Sequence, residues 1–577
     1  MKKEEMEENL GYDYLFKKMP QFSPLQFMWT TMAAYCWFTS GFFQVGSTFT
    51  QYTPEHRCET EIDRRFKNDT GHHRISYEDG LFFTKGLDNP SCQMYNLDWP
   101  SICPMTDETE ALACARNFIK FANLSESKIV SCSKNVFEKK SSPGFTNTVA
   151  TEFNIVCDRA HINSKLTGAF MAGMFAGVFI GGIIMDRLGR KLACLMGQIG
   201  SVVVNLAIAF SSGIWMYAGL RFLAAFFSML QATSCFVYCV EMTGPKYRTW
   251  VGNWAAVMFT FGFMCITPIG MIFKDWREMQ IAFSLSPIPF ITIFFWLLPN
   301  SAAWLYSIGK FKEARKTIYQ ISYNVNAQGI DDEFLEKLEV EIKNCQKSAN
   351  VGQKYTQVDL LKTSGMRRTT LTICLFWFCL VALYYGLTFG VQDLGGNILY
   401  TNLMYGVAES LGFGCVSFII DKPWLGRRLG NIWIVSFATA GCFLALVGDL
   451  VGLKMMKIAS AFAGKLGASA SFGVAYIYAS ELFPTPMRGI GVGTASACGR
   501  IGGVLSPFIA DLSRTASYLP FAVFSVFGLV LIASTYFLPE TLAMPMMISK
   551  DQAEEFYEQA YGKKKDRRND EEISLKI

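Results

Sequence analysis

Long apolar runs separated by short polar turns form the pattern of this chain. About 20 helical residues, each rising about 1.5 Å, cross the roughly 30 Å of hydrocarbon in a bilayer. Twelve runs have this length, near 24–46, 165–185, 192–212, 214–240, 249–272, 279–298, 370–392, 397–420, 430–451, 457–480, 489–511 and 518–538. The pattern predicts an all-α membrane protein of twelve transmembrane helices, with the lipid bilayer as its surroundings.

The composition supports this prediction and narrows the class of protein. The 577 residues are 51% hydrophobic and 18% charged, which is too apolar for one soluble core. The net charge of +5 gives no reason to expect a nucleic-acid partner. The first 20 residues are polar and mixed in charge, so we expect no cleavable signal peptide.

The charges between the spans predict the topology. Short connections on one side carry Arg187, Arg190, Lys246 and Arg427, whereas turns on the other side carry almost no charge. Basic connections stay in the cytoplasm, so both termini are expected there. The expected location is the plasma membrane, and an internal membrane is the alternative. The expected division is a cytoplasmic N-terminus 1–23, a first half 24–298, a cytoplasmic central loop 299–369, a second half 370–540 and a cytoplasmic tail 541–577.

One connection, residues 47–164, is long and is expected to lie outside the cell. It contains two N-glycosylation motifs, at Asn68 and Asn123, which are used only on that side. Six cysteines predict three disulfides, for which 15 pairings are open. They are Cys58, Cys92, Cys103, Cys114, Cys132 and Cys157. The other cysteines are expected to be reduced packing residues.

The central loop 299–369 is polar and rich in lysine and glutamate. Its pattern predicts helices over 311–321 and 331–344. We interpret it as a linker with surface helices lying under the bundle.

The two halves repeat each other. Glu241–Arg248 follows the fourth span and Glu481–Arg488 follows the tenth, an offset of 240. Repeated six-span halves are typical of transporters that open alternately to either side. Acid–arginine pairs at the helix ends are expected to clamp the two halves while the site faces outward, although ordinary loop charge is the alternative. The proposed clamp residues are Asp186, Arg187, Arg190, Glu241, Arg248, Asp421, Arg427, Glu481 and Arg488.

These motifs resemble the major facilitator superfamily and, within it, the organic cation/anion/carnitine transporter family. The superfamily signal is Gly182–Lys191 and its weaker copy near Asp421. The family signal is the cysteine-rich loop ending in Thr151–Asp158, Tyr384-Tyr385-Gly386-Leu387, and Glu481-Leu-Phe-Pro-Thr. The resemblance runs from about Leu15 to Leu542 and implies the major facilitator fold. Sugar carriers share the loop motifs but have a short first outer loop.

The sequence departs from the family pattern in two places. The second loop motif has two extra residues, Pro423 and Trp424, and lacks the glycine four residues before Asp421. After the sixth span, the usual acid and arginine are replaced in Asn300-Ser301-Ala302-Ala303, which puts one clamp of the first half in doubt.

Four ionisable residues fall inside predicted spans: Arg221, Glu409, Lys465 and Arg500. A charge in hydrocarbon costs several kcal/mol, so it normally faces a cavity or a partner. At about 1.5 Å per residue, Arg500 and Glu409 both lie about 18 Å above the cytoplasmic helix ends, where transporter sites are expected. They could instead pair with each other. Lys465 is expected in the outer third, where it is a candidate to contact the solute; extension outward to the membrane surface is the alternative. Arg221 is interpreted as a structural tie.

The sum of these charges is positive and favours a solute that carries a carboxylate. In the family that the chain resembles, anion and carnitine carriers have arginine at the Arg500 position, and cation and carnitine carriers have glutamate at the Glu409 position. The resemblance therefore implies the carnitine-type branch, in which the carboxylate of a zwitterion pairs with Arg500 and its quaternary ammonium lies near Glu409.

Aromatic residues of the seventh span, Trp377, Tyr384 and Tyr385, are candidates to bind an organic cation through their ring faces. Bundle packing is the alternative, and Trp254 and Tyr238 are weaker candidates. No spacing of His, Cys or Asp suggests a metal or cofactor, and no phosphate-binding loop suggests an ATP-driven pump or an enzyme. We therefore predict an alternating-access transporter of small organic ions, with a sodium or proton coupling ion left open. The alternatives are an organic anion transporter, a sugar-type carrier, a channel and a transport-dead receptor.

Overall fold

The structure is a computed structural model of the chain. It describes residues 16, 21–66, 78–84, 87, 91–103, 106–121, 128–138, 144–323, 332–340, 356–394, 396–420, 422, 424–484, 487–542, 547 and 550–561. Asn68, Asn123 and Asp421 lie outside the described residues, so the predictions made for them stay predictions.

Helices occupy all twelve predicted spans, and we number them α1 to α12. The first half consists of α1 Pro24–Val45, α2 His161–Leu188, α3 Arg190–Ala209, α4 Ile214–Glu241, α5 Arg248–Ile272 and α6, which has the two segments Trp276–Leu285 and Ile288–Leu297. The second half consists of α7 Ser364–Phe389, α8 Ile398–Ile420, α9 Gly426–Leu450, α10 Lys454–Leu482, α11 Arg488–Ala510 and α12 Leu519–Phe537.

The sixth span differs from the single continuous helix that the apolar run predicts. It breaks at Ser286 and Pro287, between the two segments of α6. Proline has no backbone N–H to donate and its ring clashes with the preceding turn, so it interrupts a helix at this point. Hydrophobicity alone does not register this break.

Eight of the helices, α2 to α5, α7 to α9 and α12, are long and apolar enough by themselves to cross a membrane. In α10 and α11, charged side chains and many small residues replace part of the apolar sequence, and Lys465 and Arg500 are buried there. These polar positions lie inside the bundle, where other helices rather than lipid surround them.

The long connection after α1 folds around two small antiparallel ribbons. Strand β1 (His56–Cys58) pairs with β4 (Asn135–Phe137), and β2 (Gln93–Tyr95) pairs with β3 (Ile129–Ser131). Short helices complete it, at Ser47–Thr50, Glu61–Arg65, Glu78–Thr84, Trp99–Ile102, Glu108–Phe121, Val149–Glu152 and Cys157–Arg159. The structure joins its six cysteines as Cys58–Cys132, Cys92–Cys157 and Cys103–Cys114, so the three predicted disulfides are formed.

Two ion pairs fix this loop. Arg57 and Asp63 are both buried and lie 2.7 Å apart, and the pKa of the Asp63 carboxyl is lowered because hydrogen bonds and charge from Arg57 outweigh its burial. Glu152 accepts hydrogen bonds from Trp276 and Arg277 at the start of α6. The end of the loop is thereby attached to the helical bundle.

The two halves meet where α2 packs against α11 and where α5 packs against α8. On one face of the bundle lies the disulfide-bonded loop, and we call it the loop face. On the opposite face lie the ends of α4 and α10 and the segment after α6, and we call it the segment face.

The central segment and the tail lie against the segment face. Helices form at Phe311–Tyr323 and 332–340, at the two stretches for which the sequence predicts them. Two further helices, Ala302–Ser307 and Gln357–Leu361, were not predicted. The tail helix Lys550–Tyr561 packs under α7, where Glu554 accepts a hydrogen bond of 3.0 Å from the backbone of Gly365. That carboxylate stabilises the N-terminal end of α7.

Candidate functional site

A buried ion pair occupies the interior of the second half. Nζ of Lys465 in α10 lies 3.2 Å from Oε2 of Glu409 in α8, and both side chains are fully buried. The same ammonium donates to Thr388 Oγ1 at 2.7 Å and lies 3.6 Å from the ring centre of Tyr384. The Tyr384 hydroxyl donates to Glu409. Every charge in this cluster is thus compensated.

This arrangement corrects two interpretations of the sequence. Glu409 could have paired with Arg500 at the same depth, but the structure pairs it with Lys465. Lys465 could have extended outward, but it is buried. A counter-charge within reach holds the ammonium inside, because outward extension is favoured only for a charge without a partner.

Arg500 lies on α11, beside α7 and α10. Its Nη1 donates to the hydroxyl of Tyr385 at 3.4 Å, and the guanidinium also interacts with the hydroxyl of Tyr476. Among the described residues, no carboxylate forms an ion pair with it. The guanidinium therefore has only neutral phenol partners and keeps its full positive charge for a ligand.

Glycines let α11 pack closely on α7 beside this charge. A Cβ on Gly502 would lie 2.2 Å from the carbonyl oxygen of Phe378, and one on Gly499 would lie 2.9 Å from Val381. Larger residues would push the helices apart and move Arg500 away from Tyr385. The small-residue pattern around Arg500 thus sets the depth and direction of its side chain.

An aromatic wall continues from Tyr384 and Tyr385 along α7 and α10. Trp377 packs edge-on against Tyr476 with ring centres 4.6 Å apart, and Phe472 lies 5.0 Å from Tyr384. Trp377 and Tyr384 share one face of α7, as their spacing predicts. Phe472 and Tyr476 were missed from the sequence, although their separation of four residues places both on one face of α10.

A cavity of about 400 Å³ reaches Arg500 from the segment face. Its walls come from α2, with Phe175 and Phe179, and from α11, with Gly493 and Ala497. Thr356 and Gln357 also line it.

A short helix, Gln357–Leu361, holds those two residues in place at this cavity. Asp359 accepts hydrogen bonds from the N–H and Oγ1 of Thr356 at 2.6 and 2.9 Å, and the ammonium of Lys362 with these bonds lowers the pKa of Asp359 to about 2. This part of the central loop therefore contacts the mouth of the cavity.

A second cavity, of about 570 Å³, opens from the loop face. Its walls mix apolar and polar side chains, and the polar ones include Gln51, Asn163 and Thr167 of the first half and Gln392 and Arg514 of the second. Gln392 donates to the carbonyl of Thr48 at 2.8 Å and so joins the two halves at this level.

The weaker candidates lie away from Arg500. Tyr238 is buried in a separate cluster of the first half, with Trp29 and Cys235. Trp254 stacks on Trp250, with ring centres 5.9 Å apart. Arg221 is buried in α4 against Phe170 of α2.

At the segment face of the first half, Arg190 of α3 forms ion pairs with α2 and with α4. The segment after α6 joins this cluster through Ser301. It lies 2.8 Å from Glu241 and 3.4 Å from Asp186, and Ser301 donates to Glu241. Gly189 has φ of 90°, and a Cβ there would lie 2.7 Å from the ring of Trp304. The charge cluster of the first half is present although the family's acid and arginine after the sixth span are missing.

The second half repeats this arrangement. Arg427 lies 3.2 Å from Glu481, and Thr541 donates to Glu481 at 2.6 Å. Glu540 accepts from the backbone N–H of Arg427 and Arg428 at 2.8 and 3.0 Å, at the start of α9. Among the described residues each cluster thus contains two carboxylates, Asp186 and Glu241 in the first half and Glu481 and Glu540 in the second.

Each of these clusters lies within one half. Arg190 and Glu241 join α3 to α4, and Arg427 and Glu481 join α9 to α10. Arg187 is exposed, and Arg248 donates to the carbonyl of Thr243 in its own half. Arg488 lies near Glu481, also in its own half. The pairs that the structure shows therefore tie helices of the same half together, and a clamp between the halves stays a prediction.

Comparisons with known proteins agree with this architecture. The model of the family described as sugar (and other) transporter matches residues 129–550. The chain is 30% identical over 433 residues to solute carrier family 22 member 16 of Xenopus laevis, covering 74% of each chain. It is 27% identical over 557 residues, 95% of each chain, to the organic cation transporter protein of Drosophila melanogaster. Human solute carrier family 22 member 13 is 30% identical over 68% of this chain and 69% of its own.

Among solved structures, the partially occluded inward-open xylose transporter of E. coli has a TM-score of 0.59 at 14% identity, covering 91% of this chain and all of that one. At that identity the similarity shows the fold alone. Fold, sequence family and relatives agree on a multi-pass membrane transporter. The chain belongs to the major facilitator superfamily and, within it, to the solute carrier 22 family of organic cation and anion transporters.

Proposed function

We propose that the transported solute carries a carboxylate, and that a zwitterion with an organic cation, such as carnitine, fits the site best. The observation that carries this proposal is Arg500, whose guanidinium lines a cavity and has only phenol partners among the described residues. A carboxylate can accept two parallel hydrogen bonds from a guanidinium, which gives it a strong preference over a neutral group.

The organic cation of such a solute has aromatic rings to bind. Tyr384, Phe472 and Tyr476 lie next to each other beside Arg500. Each desolvated ring face contributes about 1–2 kcal/mol to binding a quaternary ammonium. Glu409 becomes available to the cation only when Lys465 moves away, so we assign the first contact to the rings.

A second candidate is transport of simple organic anions. Lys465 neutralises Glu409, and Arg500 remains a buried cation with no carboxylate partner among the described residues. On this basis a carboxylate without a cationic group also fits. The two candidates differ in whether the aromatic wall contributes to binding.

Uptake into proteoliposomes tests the proposal with three probes: carnitine, benzoate and tetraethylammonium. Arg500→Gln is expected to reduce carnitine and benzoate uptake at least about 30-fold, since losing a buried charged partner costs about 2–5 kcal/mol. Arg500→Lys should retain part of the activity. Arg159→Gln, an exposed arginine of the loop face, is the matched control. Uptake of tetraethylammonium alone, unchanged by Arg500→Gln, would show that the assignment is wrong.

A Phe472→Leu variant separates the two candidates. It is expected to weaken carnitine uptake about tenfold and to leave benzoate uptake unchanged, because only the quaternary ammonium uses the ring face. Saturable uptake with acceleration by solute on the opposite side tests for a carrier. Its absence would favour a receptor or a channel.

We also propose that both termini are cytoplasmic and that the loop face is extracellular, at the plasma membrane. The basic segment-face connections and the disulfides of the loop support this orientation. Removal of a glycan from intact cells by a glycosidase, and its absence in an Asn68→Gln, Asn123→Gln double variant, would confirm the side of the loop. A glycosylated C-terminal tag would reverse the assignment.

A further inference from the structure

The first half contains a buried cation for which the described residues supply no anionic partner. Arg221 in α4 is 2% exposed, and its Nη1 lies 3.4 Å from the carbonyl oxygen of Phe43. Its Nε and Nη2 have no hydrogen-bond partner among the described residues. The guanidinium carbon lies 4.2 Å from the ring centre of Phe170. A ring face and one long hydrogen bond do not replace the solvation that a buried guanidinium has lost.

The internal repeat shows what this position has in the other half. With the offset of 240, Arg221 corresponds to position 461, one helical turn before Lys465 in α10. With the offset of 235 between Asp186 and Asp421, Phe170 corresponds to Tyr405, one turn before Glu409 in α8.

In each half, a cation on the fourth helix therefore contacts a residue on the second helix. The contact in the first half corresponds to a level one helical turn from the contact in the second half. In the second half that residue is a carboxylate, 3.2 Å away. In the first half it is a phenylalanine ring. The first half therefore has the cation of the pair, and no anion of the described residues takes the place of Glu409.

The loop-face cavity ends close to Arg221. Thr167 and Gln51 line this cavity, and Thr167 lies three residues before Phe170 on α2. Gln51 donates at 3.1 Å to the hydroxyl of Tyr217, which lies one turn before Arg221 on α4. The residues at this end of the cavity thus lie on α2, or contact α4, about one helical turn from Phe170 and Arg221.

We propose that Arg221 is a second anion-binding residue, which receives the carboxylate of a solute at the base of the loop-face cavity. The carboxylate takes the place that Glu409 has beside Lys465. This inference rests on the proposed function, in which the solute carries a carboxylate. Arg221 then serves the loop face and Arg500 the segment face, so that the carboxylate passes from one guanidinium to the other.

Ligand-induced shifts in the thermal unfolding midpoint of the purified full-length protein test this. Sodium benzoate is titrated at constant ionic strength into Arg500→Gln and into the double variant Arg500→Gln, Arg221→Gln. In Arg500→Gln, any increase of the unfolding midpoint by benzoate is attributed to binding at Arg221. The double variant is expected to need at least about tenfold more benzoate for half of the effect. Arg159→Gln in the Arg500→Gln background is the control and should behave as its parent.

Sodium chloride is titrated in parallel. Stabilisation by chloride and not by benzoate overturns the assignment of a carboxylate, as do equal benzoate titrations of the single and double variants. Arg221→Lys, in the Arg500→Gln background, keeps the charge on a shorter side chain. It should raise the benzoate concentration needed for half of the effect about threefold, which tests the proposal even if Arg221→Gln fails to fold.

The two proposals fail in different ways. If Arg500→Gln abolishes carnitine uptake while the benzoate titrations are equal, the proposed function stands and this inference is wrong. If Arg500→Gln leaves carnitine uptake intact while the double variant loses the benzoate effect, Arg221 holds an anion and the role proposed for Arg500 is wrong.

Discussion

The two halves of the transporter share a topology but treat their buried charges differently. In the second half, Lys465 meets Glu409, Thr388 and Tyr384, and the cluster is neutral. In the first half, Arg221 meets the ring of Phe170 and one carbonyl oxygen. A repeated fold thus preserves the helix that carries the cation without preserving its partner. The cation on the fourth helix is thus neutralised by a carboxylate in the second half, whereas its counterpart in the first half has no carboxylate partner among the described residues.

Removing the carboxylate from the neutral Lys465–Glu409 cluster of the second half tests that interpretation most strongly. Glu409→Gln leaves Lys465 buried without a counter-charge and is expected to cost about 3–5 kcal/mol of stability. The thermal unfolding midpoint of the purified protein measures this. The double variant Glu409→Gln, Lys465→Met should recover most of the loss, because no charge then remains buried. An unchanged midpoint for Glu409→Gln alone would contradict the structural role of the pair.

Giving the first half the missing anion is the converse experiment. Phe170→Glu is expected to form an ion pair with Arg221, whereas Phe170→Gln of similar size is not. We expect the glutamate variant to be more stable than the glutamine variant by about 2 kcal/mol, again from thermal unfolding. It should also abolish the stabilisation by benzoate that Arg221 provides. Equal stability of the two variants would mean that Arg221 does not respond to a carboxylate at this position.

The charge clusters of the segment face differ more modestly. Glu241 has Arg190 and Ser301 as partners, and Glu481 has Arg427 and Thr541. The additional carboxylate is the exposed Asp186 in the first half and, in the second, Glu540, which binds the backbone at the start of α9. Glu241→Gln is therefore expected to destabilise by about 1–2 kcal/mol, and Glu481→Gln by less, since Glu540 still anchors the start of α9. Thermal midpoints of the two variants, measured side by side, check the order. The reverse order would show that Glu540 does not compensate.

The smallest effect concerns the loop, which only the first half has. The pKa of Glu152 is lowered because hydrogen bonds from Arg277 and Trp276 outweigh its burial. A lowered pKa means that the stabilisation is present above the unfolded value of about 4.3 and is lost as the pH falls through the folded value. Glu152→Gln should cost about 1 kcal/mol at pH 7 and little at pH 3.5. The thermal midpoint at both values measures this, and Asp158→Asn, an uninvolved loop acid, is the control.

Much of the architecture follows from local sequence. Apolar runs of spanning length located all twelve helices, since in a bilayer each helix satisfies its own backbone hydrogen bonds. The repeated Glu241 and Glu481 motifs identified the two halves. Within the twelve spans the break at Pro287 was missed, because a hydrophobic count treats proline as one more residue of the run. The short strands and helices of the outer loop were not predicted either.

The site was predicted less completely. Helix arithmetic brought Arg500 and Glu409 to a common depth, but depth does not fix direction around a helix axis. The partner of Glu409 is Lys465, which lies 56 positions later in the sequence, and Phe472 and Tyr476 complete the aromatic wall from the same helix. These contacts depend on how α8 and α10 turn toward α7, and no local pattern records that rotation.

The sequence by itself therefore determined which segments cross the membrane, which residues are charged there, and that six loop cysteines form three bonds. Each of these depends on local composition or on a count. Only the tertiary structure decided which cysteines join, that Lys465 neutralises Glu409, and that Arg500 and Arg221 have no carboxylate partner among the described residues. Pairing is a property of distance between helices, and packing of side chains far apart in the chain sets that distance.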